Sequence, residues 1–79
     1  MMLEKELATI IYNGSYRISK PEYRIILTGL NLARLGDSEG AKETIAVISR
    51  EDVKVAYAQA ILTPDMATNV AVELMILDK

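Results

Sequence analysis

Three groups of residues are of the types that do chemistry. Gly36 to Lys42 sets two glycines ahead of a lysine, as a phosphate-cradling loop does. That loop needs four residues between its glycines and then Gly-Lys-Ser/Thr, because its backbone N–H groups and the lysine converge on phosphate oxygens. Here Ser38 and its two acidic neighbours separate Gly36 from Gly40, Ala41 intervenes before Lys42, and Glu43 follows. Three carboxylates would repel phosphate, so the stretch reads as a solvated loop, part of which can form a short helix from Ser38. The second group is acidic: Asp37, Glu39, Glu43, Glu51 and Asp52. Oxygen ligands suit Mg²⁺ or Ca²⁺, but the calcium-loop spacing is missing, and acid/base work would need a pocket that raises one pKa. Helix capping and solubility account for these side chains. In the third group Arg17, Lys20 and Arg24 lie among Tyr12, Tyr16 and Tyr23, with Arg34 further on. Cations interleaved with aromatic rings can hold single-stranded bases; tyrosine is equally at home in cores and interfaces.

Composition narrows the chemistry further. The 79 residues include no Cys and no His, which removes disulfides, Cys/His zinc sites and any triad built on a histidine base. No catalytic, cofactor-binding or metal-binding residues are assigned, and the chain reads as a non-enzyme. A net charge of -2 argues against general phosphate-backbone binding. Residues 1–36 carry five Lys/Arg against three Asp/Glu, while residues 37–79 carry four against eight, a split that allows complementary self-pairing but that simple surface variation also explains. Glu4, Lys5 and Glu6 interrupt any secretory-type apolar core, and Val70 to Leu77 falls far short of the ~20 residues of a membrane span. The expectation is a soluble cytoplasmic protein with no membrane partner.

The elements that would position these residues are mostly helices. Val53, Ala56, Tyr57, Ala60 and Ile61 recur at helical spacing after Ser49, which can cap, with Asp52 three residues on. Ser19, Pro21 and Glu22 predict a second capping box, opening an apolar helix that ends near Leu35 and Gly36. Gly29 in its middle costs about 1 kcal/mol relative to Ala, so either another helix approaches closely there or the helix bends. Thr63 and Pro64 predict the start of a last helix. Leu3 to Tyr12 reads as a first helix stopped at Asn13-Gly14 by a left-handed cap. The reading is all-α, one domain over residues 1–79, a bundle of four helices. A hairpin across residues 9–18, turned by Asn13-Gly14, or a short strand over 44–48, competes locally.

The order of elements carries a resemblance. An apolar helix with Arg24 near its start ends in Leu32-Ala33-Arg34; a Gly-rich loop, a short hydrophobic run and Ile48-Ser49-Arg50-Glu51-Asp52-Val53 follow, then a helix with Ala56 and Tyr57. This resembles the small C-terminal helical lid of AAA+ ATPases of the helicase, chelatase and initiator type, where Val-Thr-x-Glu-Asp-Val caps the last lid helix. The helical pair is also similar to half of a histone fold. The lid resemblance implies that Arg24 matches an arginine able to contact nucleotide. Without a Walker motif or an ATPase core, it implies a free-standing helical module.

A chain this small buries only about 60% of the surface its unfolded form exposes, yet 51% of its residues are apolar. Self-association, or docking on another protein, is the natural remedy, with nucleic acid a disfavoured alternative through Arg17, Lys20, Arg24 and Arg34. The expected contact face is the last helix: Val70, Leu74, Met75 and Leu77, with Met66 at its edge.

Overall fold

A computed structural model describes residues 3–79, with helices α1 (Glu4–Ile11), α2 (Lys20–Arg34), α3 (Ser38–Glu43), α4 (Glu51–Ala60) and α5 (Pro64–Leu77). The fold is all-α, as the periodicity predicts, with five helices where four are expected. The extra one is α3, a single short segment in the polar loop, capped by Asp37, whose carboxylate accepts the Gly40 N–H at 3.0 Å. No described residue is in a strand, and none of the helices is long and apolar enough to cross a membrane.

Helix α5 is the central element, packing along both α1 and α2, while α1 also covers α4 and α2 covers α3. The core between them contains Leu7, Ile11, Ile26, Leu30, Val53, Tyr57, Val70 and Leu74, all fully buried. The stripe Val53, Ala56, Tyr57, Ala60 and Ile61 faces inward as its spacing requires.

The hairpin expected as a competitor over residues 9–18 does not form, and neither does the left-handed cap at Asn13-Gly14. The chain leaves α1 through a π-helical turn, Tyr12–Tyr16, with the Arg17 N–H reaching the Tyr12 carbonyl at 3.3 Å. Gly14 keeps a negative φ. Its lack of a side chain serves packing instead: a Cβ there would collide with Val53 of α4. The wider turn also brings the Tyr12 and Tyr16 rings into a stack at 4.7 Å, and it buries the Ser15 hydroxyl without a hydrogen-bond partner. The strand considered over 44–48 is likewise replaced. Thr44–Val47 continues from α3 as a 3-10 turn, and only Ile48 is extended.

Gly36 ends α2 at φ 91°. Its N–H bonds the Ala33 carbonyl and the Asp37 N–H bonds the Leu32 carbonyl, at 3.1 and 2.9 Å, the paired closure typical of a glycine-terminated helix. Thr63 caps α5 as expected, its hydroxyl accepting the Met66 N–H at 3.1 Å, with Pro64 in the first turn.

The two predicted capping boxes do not close. Ser19 occupies the N-cap of α2, but its side chain makes no capping bond. Glu22 is buried and turns away, accepting the Ser49 N–H at 3.0 Å and the Ser49 hydroxyl at 3.3 Å. Ser49 is thereby consumed, Arg50 becomes the N-cap of α4, and Asp52 accepts the Val53 N–H and pairs with Arg50 at 3.3 Å. A buried carboxylate needs donors more than an exposed helix end does, because the helix end has water. Glu22→Gln keeps the shape, but the Ser49 hydroxyl must turn from donor to acceptor to meet the amide NH2, and both bonds lose the charge of the carboxylate. The substitution is expected to lower unfolding free energy by about 1–2 kcal/mol, measured by urea denaturation.

Candidate functional site

Two surface regions gather the residues with functional potential. The first is the outer face of α5. Val72, Met75 and Ile76 stand 49%, 66% and 57% exposed at i, i+3, i+4 spacing, so they form one contiguous apolar stripe. Leu77 flanks it at the rim. The opposite face of the helix, Ala67, Val70, Ala71 and Leu74, is buried against α1 and α2. Val70 and Leu74 are therefore core residues, and the expected contact face is corrected accordingly. Met66 is half-buried against the core. Of the expected contacts, Met75 and Leu77 remain accessible. Val72 and Ile76 join them, having been overlooked because α5 is apolar on two sides. The available signal was the pair of alanines, 67 and 71, whose small size marks the side where neighbouring helices press closest.

Helices α2 and α5 run antiparallel, and each end of their seam opens into a shallow cleft. One cleft, of about 320 Å³, lies between Asn31, Arg34 and Leu35 at the end of α2 and Thr68 near the start of α5. Leu35 is 85% exposed there. Arg34 donates to the Asn31 side-chain oxygen at 3.2 Å.

The other cleft, of about 290 Å³, is the second region. It lies between Tyr16, Lys20, Tyr23, Arg24 and Leu27 on one side and Asp78 on the other. The Lys20 ammonium sits 5.2 Å above the Tyr16 ring, a cation–π contact. The rings hold one another: Tyr23 meets Tyr16 edge-on at 5.0 Å and Tyr12 at 6.2 Å. Burial, followed by the nearby Asp78 carboxylate, pushes the Tyr23 phenol up to about 12. These rings are engaged with each other as a satellite of the core. Of the four cations considered for nucleic acid, Lys20 and Arg24 converge on this cleft. Arg17 is exposed beside Tyr12 at the π-turn exit. Arg34 lies ten residues along α2 from Arg24, about 15 Å away.

The acidic residues do not converge. Asp37 caps α3, Glu39 reaches Lys42 at 3.8 Å, and Asp52 pairs with Arg50. No cluster of three metal-ligating side chains occurs among the described residues. Gly36 to Lys42 serves as a helix stop and a helix start rather than a cradle.

Comparisons with protein-family models, with characterised proteins and with solved structures return no match to this chain.

Proposed function

We propose that this protein is a small, non-enzymatic helical assembly module that associates with a second copy of itself through the outer face of α5. The observation that carries the reading is the Val72, Met75, Ile76 stripe. It is exposed on the helix that organises the core, where the inner face is already filled. Scattered exposed apolar residues need no explanation, whereas three adjacent ones on a rigid helix leave a surface suited to a partner. Marginal stability at this size gives association a thermodynamic role, since a partner that binds only the folded chain stabilises it by mass action.

An accessory nucleic-acid role has narrower support. Lys20 and Arg24 share one cleft, but Asp78 faces them and the neighbouring rings are committed to each other.

The test is the mass in solution by light scattering, with Met75→Glu beside the unaltered chain. The unaltered chain is expected at twice the monomer mass at micromolar concentration or above. Met75→Glu is expected at monomer mass, with the same helical circular dichroism. A monomeric unaltered chain at high micromolar concentration overturns the proposal.

A further inference from the structure

The outer face of α5 also indicates how two copies would meet, and this inference rests on the self-association proposed above. Asp65, Val72 and Lys79 are spaced seven residues apart on the solvent side, with Thr68 and Met75 a matching pair between them. All of these except the half-buried Thr68 are exposed, and neither Asp65 nor Lys79 is in an ion pair among the described residues. Seven residues are close to two turns, so Asp65, Val72 and Lys79, the last just past the end of α5, keep nearly one line, with Thr68 and Met75 about 60° around the helix toward α2. The upper end of that line is acidic, the middle apolar and the lower end basic.

The geometry points to an antiparallel, two-fold symmetric dimer with Val72 on the symmetry axis and Met75 of each copy seated in the other's Asn31, Arg34, Leu35, Thr68 cleft. Three observations converge on this arrangement. First, a two-fold axis at Val72 brings Asp65 level with Lys79 of the second copy, and the reverse, so both ends pair opposite charges. A parallel arrangement would set Asp65 on Asp65 and Lys79 on Lys79. Second, the same axis brings Met75 of the second copy level with Thr68 and Asn69. Met75 and Thr68, seven residues apart, both lie on the side of α5 that faces α2. The two-fold operation keeps that side of one copy beside the same side of the other, so Met75 descends on the cleft edged by Leu35.

The third observation is one of scale. A stable interface takes about 800 Å² from each partner, while a 14-residue helix presents a strip only about 21 Å long and 10 Å wide. The α5 stripe is too narrow by itself. The arrangement must recruit the neighbouring edge of α2, where Leu35 is the most exposed large apolar residue of the described chain. A knob in a hole at each end, with charges beyond, adds that edge of α2 to the contact. The interface is isologous, so it closes at two copies.

Because the chain contains no cysteine, single-cysteine variants give a clean test. Cysteines bridge only when their Cα atoms come within about 7 Å. Val72→Cys, on the axis, is expected to convert mainly to covalent dimer under mild oxidation. Asp65→Cys places its two copies roughly 21 Å apart and is expected to stay uncrosslinked. Mixing Asp65→Cys with Lys79→Cys is expected to yield the mixed dimer. The Val72→Cys product should disappear when Met75→Glu is added, which separates a specific interface from random collision. Self-crosslinking of Asp65→Cys would overturn the antiparallel arrangement while leaving self-association intact. A chain that light scattering finds dimeric but that fails to crosslink at Val72 would overturn the α5 axis. A monomer throughout would overturn this inference together with the function it rests on.

Discussion

Gly29→Ala is expected to be among the most damaging single-methyl additions in this protein, lowering stability by about 3 kcal/mol. The Cβ position is already occupied by the Tyr57 hydroxyl, with the Tyr57 Cζ at 2.8 Å and the Thr44 hydroxyl at 3.0 Å. Tyr57 has nowhere to retreat. It is fully buried, and its hydroxyl donates to the Ala41 carbonyl at 2.9 Å, tying α4 to α3 across α2. A methyl at position 29 must move the ring and break that bond, or push α2 away from both neighbours. Alanine's better helix propensity returns only about 1 kcal/mol. For a chain of this length, whose whole stability is about 4–12 kcal/mol, the melting temperature should fall by about 15 °C or more. Tyr57→Phe removes the oxygen that occupies the space and also forfeits the bond to Ala41. The double variant Gly29→Ala/Tyr57→Phe should therefore lose clearly less than the sum of the two single changes. Strict additivity in urea denaturation would show that the Gly29–Tyr57 contact is not what limits position 29.

Leu74→Ala is expected to cost about 3 kcal/mol, within the range for fully buried leucines. Met75→Ala, one residue along, should change monomer stability by less than about 0.5 kcal/mol. Leu74 is sealed among the helices, while Met75 stands in solvent. The comparison belongs at concentrations where the chain is monomeric, because any interface at Met75 would add its own mass-action contribution. Denaturation midpoints for the two variants decide the matter. Equal losses would mean that α5 is rotated relative to its partners, and the proposed interface would go with it.

The helical character of the chain was legible because helix signals are local. Thr63 with Pro64 opens α5 through atoms within one turn, and the inward stripe of α4 is set by a repeat that any helix obeys. Gly36 stops α2 for the same kind of reason: the left-handed turn it adopts is a property of one residue. The close approach at Gly29 was also readable, since a glycine in mid-helix invites a neighbour, although nothing near it in the chain names Tyr57.

Where local signals competed with distant ones, the distant ones won. The capping-box spacing predicts that Glu22 reaches back three residues, and it instead joins Ser49, twenty-seven residues away. Its burial against the start of the 48–50 segment removes water from the comparison and leaves Ser49 as the donor. Asn13-Gly14 has a strong local preference for a turn, yet it is drawn into a π-helical loop because α4 passes close enough to leave no room for a Cβ. The candidate site divides in the same way. That the last helix carries surplus apolar residues can be read from its composition. Which of them are surplus depends on α1 and α2, which close over Ala67, Val70, Ala71 and Leu74 and leave Val72, Met75 and Ile76 outside. A helix apolar on two sides has two self-consistent ways to face a core. The choice is made by how closely its neighbours can approach, and that distance is set by residues remote in the chain.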